Sequence, residues 1–174
     1  MKVRDVVIFT GEHFEVPQCI QRIDHRATHG WQLRYGGTKL FSDGSPDGTG
    51  AAAALQRATK ELLSRIAKLP APNKLQREPS ANKTSDLPVG VFGPVVRQRR
   101  RSKLRDCCFS VLVPRFGDSP LRRTVYIGTE NTFTPERYNL ALEKAIEIRQ
   151  RAERAYQRAA TRAKRLDAAT LLAR

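Results

Sequence analysis

The sequence predicts an α+β protein: two repeats of a three-stranded antiparallel sheet packed on one helix, with a long C-terminal helix. Three observations carry this. The order strand, strand, strand, helix occurs twice in the 174 residues. The copies match locally: WQLRY at 31–35 with FSVLV at 109–113, KLF at 39–41 with TVY at 124–126, and ALQRA at 54–58 with ALEKA at 141–145. Between them, residues 70–88 hold four prolines and no apolar periodicity, which reads as an extended linker. A duplication is the simplest explanation, and one mixed α+β domain with similar halves is the alternative. The predicted division is an N-terminal strand or arm at 1–17, a first module at 18–69, the linker at 70–88, a second module at 89–150 and a basic helical extension at 151–174.

Residues 3–9 (VRDVVIF) read as a short strand broken by Thr10-Gly11. A second strand is expected at about 18–24, with Ile20 and Ile23, followed by a loop at 25–29. WQLRY alternates, so Trp31, Leu33 and Tyr35 face one way and Gln32 and Arg34 the other. Gly36-Gly37 can take the positive φ of a two-residue hairpin turn, and the chain returns as TKLFSD at 38–43. A polar loop at 42–50 precedes a helix at 51–68. Its Ala51, Leu55, Ala58, Leu62, Ile66 and Leu69 mark one face, and Pro70 and Pro72 end it.

The pattern then returns. GVFGPVV at 90–96 reads as a strand, RQRRRSKLR at 97–105 as a basic loop, and CFSVLVP at 108–114 as a strand with Phe109, Val111 and Val113 on one face. Residues 115–122 connect to a partner strand, RTVYIG at 123–128, and Cys108 is expected to face outward. Thr134 is the predicted N-cap of the last helix and Pro135 its first residue. From Pro135 to about Leu166 that helix could run ~48 Å. Tyr138, Ala141, Leu142, Ala145, Ile146 and Ile148 can cover the sheet. Beyond Arg149, Ala152, Ala155, Ala159 and Ala163 recur at near-heptad steps among arginines. A weak homodimer contact, a phosphate-contacting arm and a simple exposed helix all stay open there.

Lysine and arginine number 32 against 17 acidic residues, a formal charge of +15. Such an excess costs stability through self-repulsion and is normally offset by a polyanion. Residues 1–87 carry 13 basic and 9 acidic side chains; residues 88–174 carry 19 and 8, so the second half is the stronger anchor. Cys19, Cys107 and Cys108 fit no disulfide framework, which points to a reduced, cytoplasmic chain. No segment reads as a signal peptide or membrane span, so no membrane partner is expected.

The convergent groups of an enzyme cannot be assembled, and none is expected. His25 and His29, spaced H-x3-H in a loop, make with Cys19 an incomplete zinc set. Asp43, Ser45, Asp47 and Gly48 look faintly like a calcium loop but lack its closing glutamate. Gly36-Gly37 lacks the Gly-Lys-Ser/Thr of a phosphate loop. No catalytic residue, metal or cofactor is therefore predicted.

A three-stranded meander on one amphipathic helix, about 55 residues long, resembles the Apetala-type DNA-binding domain. That family includes the plant ethylene-response factors and related domains of phage and bacterial integrases and homing endonucleases. Cys19-Ile20-Gln21-Arg22 and Gly90-Val91-Phe92-Gly93 stand at its first-strand position, and Trp31 and Phe109 lead the second strands. The sequence departs from the pattern at Cys19, where the family has glycine, and at Gly93-Pro94, where it has arginines. The resemblance implies that the sheet, and not the helix, enters the major groove of double-stranded DNA. It implies a transcriptional or nucleoid-associated regulator of a bacterium or phage.

A small sheet also buries one face against its helix and leaves the other free. Gln32 and Arg34 are predicted on the free face, joined by Gln21 or Arg22 from the first strand and Lys39 from the third. Arg and Lys suit guanine edges, and Gln suits adenine. Arg97, Arg99, Arg100, Arg101 and Lys103 in the basic loop are expected on phosphates, and Arg26 in the first loop is a further expected DNA contact. Arg115, Arg122 and Arg123, around the last connection, complete the expected DNA-contacting set. An RNA- or ribosome-associated binder is the second reading. It ranks lower because Trp31 and Phe109 point inward, leaving the outer face without a stacking pair. A protein-binding adaptor using the C-terminal helix is the third.

Overall fold

A computed structural model describes residues 1–26, 28–98 and 103–172. Among them are three antiparallel sheets and two helices, an α+β arrangement with the longer helix at the C-terminus. The chain forms two compact units. One comprises Met1–Pro72 and the end of the chain from Ala160; the other is Asn73–Ala159.

The first unit begins with a hairpin of β1 (Val3–Val7) and β2 (His13–Pro17). The sequence reading misses β2, although Phe14 and Val16 alternate with charged Glu15. Residues 1–17 are not a free arm: Ile8 and Val16 are buried, and Phe14 meets Trp31 edge-on at 5.6 Å. The meander follows as β3 (Ile20–His25), β4 (Thr28–Arg34) and β5 (Thr38–Ser42). Gly36 and Gly37 turn the second hairpin with φ of 62° and 110°.

Helix α1 (Ala51–Lys68) lays Ala51, Ala54, Ala58, Leu62 and Ile66 on this sheet. Its alanines let the helix approach closely, and Trp31, fully buried, fills the space and donates Nε1–H to the Ala51 carbonyl at 2.8 Å. Arg65 donates to the carbonyls of Tyr35 and Gly37, tying the hairpin to the helix.

The second unit holds β6 (Val91–Gln98), β7 (Arg105–Arg115) and β8 (Asp118–Thr129) in that spatial order. β7 and β8 are longer than expected. The predicted connection at 115–122 is strand except for a tight turn at Phe116-Gly117, where Gly117 takes φ 76°. β6 carries a bulge between Phe92 and Val95. Helix α2 (Pro135–Leu172) starts where predicted: Thr134 Oγ1 accepts from the Arg137 N–H at 3.3 Å. Its Ala141 and Ala145 join Val91, Phe109, Val111, Val125 and Ile127 in the core.

The predicted linker at 70–88 is not a free span. Ala71 is buried in the first unit, and its N–H donates to Thr161 Oγ1 at 3.1 Å. Leu87 is buried in the core of the second unit, and Asn73 bonds Gln157. The basic extension at 151–174 likewise has structural work. From Ala160 it belongs to the first unit, where Ala168 is buried, and Arg165 donates to the Ile66 and Ala67 carbonyls that end α1. No helix among the described residues is long and apolar enough to cross a membrane.

Candidate nucleic-acid interface

In an antiparallel pair, residues in direct register share a face, so the register sorts the expected contact residues. In the first sheet Trp31 opposes Arg22 and Phe41, and Leu33 opposes Ile20 and Lys39. These residues face α1. The opposite face carries the row Gln21–Gln32–Leu40 and, beside it, Arg34 with Thr38.

Gln21, Gln32 and Arg34 thus stand together on the face away from the helix. Arg34 Nε donates to Gln32 Oε1 at 2.6 Å. With that oxygen occupied, the pair presents mainly donors: the guanidinium Nη groups and the Gln32 amide N–H. A donor-rich edge on a rigid strand matches the N7 and O6 acceptors of guanine. Leu40, 43% exposed, extends the row with an apolar contact of the kind that suits a thymine methyl. The sequence reading misses it, although an inward Phe41 forces Leu40 outward.

Two expected contacts are on the other face. Arg22 is predicted as an alternative to Gln21, but adjacent strand residues point oppositely. Its side chain is 6% exposed, and its guanidinium lies 5.0 Å from the Trp31 ring centre and bonds Asp24 and the fully buried side chain of Asp43. Burial works to lower the Arg22 pKa, but the hydrogen bonds to Asp24 and Asp43 outweigh it and hold it above the ordinary value. Arg22 is a core ion pair and leaves the interface. Lys39 shares the face of Leu33 and sits 5.1 Å from the Phe41 ring, exposed beside the helix rather than among Gln21, Gln32 and Arg34.

Arg26 is exposed at the β3–β4 turn with φ 43°, and its carbonyl meets His29 Nε2. Arg97 is exposed on β6 opposite Asp106, and Lys103 is exposed just before β7. Arg99, Arg100 and Arg101 lie outside the described residues. Arg115 is tied to Asp118 across the β7–β8 turn. Arg122 and Arg123 are both exposed on β8 but on opposite faces: Arg123 opposes Val111 of the core side, and Arg122 opposes Leu112.

The outer face of the second sheet differs from expectation. Trp31 and Phe109 are inward, as expected. Yet the register places Phe92, Ser110 and Thr124 in one outward row and Val95, Cys108 and Tyr126 in the next. Phe92 and Tyr126 are 41% and 52% exposed, and Arg122 Cζ lies 5.5 Å from the Phe92 ring centre. Two exposed rings therefore stand on this face, where none was expected. Their signal is in the sequence: with Val91, Val125 and Ile127 inward, alternation sends Phe92 and Tyr126 out. Cys108 is outward by register yet buried at 5% exposure, beneath these neighbours.

The weaker motifs dissolve into local structure. His29 Nδ1 pairs with Asp24 at 2.9 Å, and among the described residues no group of three His, Cys, Asp or Glu is placed to hold a metal. Asp47 accepts hydrogen bonds from Ser45 and from the Thr49 backbone and hydroxyl, which pull its carboxyl down to about 2. That loop bonds itself. No family model, curated protein or solved structure matches the chain.

Proposed function

We propose that the protein binds double-stranded DNA with sequence selectivity, through the outer face of the first sheet. The observation that carries this is the grouping of Gln21, Gln32 and Arg34 on rigid strands opposite α1. Gln21 and Arg34 are exposed there beside Lys2 and Arg4 of the N-terminal hairpin, and the side chains are the types that read base edges. The formal charge of +15 supports a polyanionic ligand. Exposed Arg26, Arg97 and Lys103 are assigned to phosphates, as are Arg99, Arg100 and Arg101 from sequence alone.

On this reading the two sheet–helix units are diverged copies of an Apetala-like module, and the protein acts as a regulator of transcription or nucleoid structure without catalysis. Two linked modules raise affinity through effective concentration. RNA binding is the second reading, and the outward pair Phe92 and Tyr126 favours it, because unpaired bases stack on aromatic rings.

The test is recovery of nucleic acid bound to the full chain, followed by sequencing. Duplex DNA sharing a short motif is the expected result. Recovery of RNA alone, or of DNA without sequence preference, would overturn selective duplex binding.

A further inference from the structure

The outer face of the second sheet is unusual for a surface with no partner. Two large rings stand on its edge strands, Phe92 on β6 and Tyr126 on β8, diagonally across the central strand: two strand spacings of ~5 Å each and one row of two residues, ~7 Å, apart. Between them the central strand offers small side chains, Ser110 and Cys108, with Thr124 and Val95 beside them and Leu112 further along, opposite Arg122. The result is a shallow floor flanked by two rings, with the Arg122 guanidinium over one of them. An aliphatic protein surface would want an apolar floor. Rings, a planar cation and small polar groups instead suit flat, polar-edged nucleobases.

The faces of bases in a duplex are covered by their neighbours, so rings can reach them only where the strand is unpaired. Charge complementarity supports a polyanionic occupant: residues 88–174 carry 19 basic against 8 acidic side chains. We infer that Phe92 and Tyr126, with Arg122, form a platform that stacks unpaired bases of single-stranded DNA. The inference rests on the DNA-binding reading above and adds a second binding mode to it. The first sheet reads a duplex, and the second holds a melted or single-stranded segment of the same DNA.

The test uses the full chain and four probes: a blunt duplex carrying the recovered motif, the same duplex with a short thymidine tail, the tail alone, and the duplex with an RNA tail. The DNA tail is expected to raise the affinity of the unaltered chain. Phe92→Ala or Tyr126→Ala should each weaken binding of the tailed duplex by roughly 5- to 100-fold, with blunt-duplex binding unchanged. Phe92→Tyr and Tyr126→Phe keep a ring and should keep the gain, which separates stacking from misfolding. Leu172→Ala, at an exposed position near the end of α2, should change neither. A tail that adds no affinity, or alanine variants that weaken blunt and tailed probes equally, would overturn the platform while leaving duplex binding standing. A larger gain from the RNA tail would overturn DNA as its occupant. If the unaltered chain binds none of the four, the DNA-binding reading itself fails.

Discussion

The two three-stranded sheets differ most where they do not pack. The first turns Gln21, Gln32, Arg34 and Leu40 outward; the second turns Phe92, Tyr126 and Arg122 outward over small residues. Their inward faces are alike, each a set of aromatic and branched side chains against helix alanines: Trp31 and Leu33 under Ala54 and Ala58, Phe109 and Val111 under Ala141 and Ala145. Helix packing constrains the inward set and leaves the outward set free. On the reading proposed above, this divergence corresponds to two different tasks on two similar scaffolds.

The sharpest way to break this division is at two arginines of the first sheet that sequence alone treats as equivalent. Arg22→Ala should strip the partner from buried Asp43 and destabilise the first unit by about 3–5 kcal/mol. Arg34→Ala, at an exposed site, should change stability by less than about 0.5 kcal/mol. Thermal unfolding of the two variants makes the comparison, and similar losses would erase the distinction between core and interface.

A smaller effect concerns the inward faces. Trp31→Phe gives the first core the ring of the second, losing volume and the bond to the Ala51 carbonyl. It should cost about 1–3 kcal/mol in denaturant unfolding. A neutral result would mean the indole bond adds nothing to that core.

Acid should next weaken the first unit. Burial works to raise the Asp24 pKa, but hydrogen bonds from Arg22 and His29 outweigh it and hold it below the usual carboxylate range. Bonds from Ser45 and Thr49 bring Asp47 to about 2. Folded values below the unfolded ones mean the unfolded chain binds more protons in acid. This stability is complete above about pH 4 and is lost as pH falls through the folded values. Asp24→Asn should flatten the acid limb of the unfolding curve. An unchanged limb would show that Asp24 is not held down by its partners.

The smallest effect is on salt dependence. Arg97→Ala with Lys103→Ala should weaken binding to all duplexes alike and reduce the log–log salt slope by about 0.9 for each phosphate no longer neutralised. A selective effect on one sequence would move these residues from phosphates to bases.

Much of this is legible in the sequence. The period-two alternation of Trp31, Leu33 and Tyr35 and the Thr134-Pro135 cap read directly, because each depends on neighbours in the chain. Facing is harder on strands with no strong alternation. Nothing local says whether Gln21 or Arg22 points inward; that follows from the pairing of Arg22 with Trp31 and from Asp43, 21 residues away. The hairpin at 1–17 and the packed ends of 70–88 escape a local reading because their burial comes from distant segments: Trp31 for Phe14, and Thr161 for Ala71. Phe92 and Tyr126 are readable from their inward neighbours, but the strand-leading Trp31 and Phe109 dominate the aromatic pattern and point away from them.

The most direct test of a sequence-reading first sheet is titration of the unaltered chain and Arg34→Ala against a duplex carrying the recovered motif and a scrambled one, at two salt concentrations. Arg34→Ala is expected to weaken the motif duplex by about 1–3 kcal/mol, with little change on the scrambled duplex and discrimination relaxed at one position. Equal losses on both duplexes would contradict base reading by this sheet and reduce the protein to a non-specific coat.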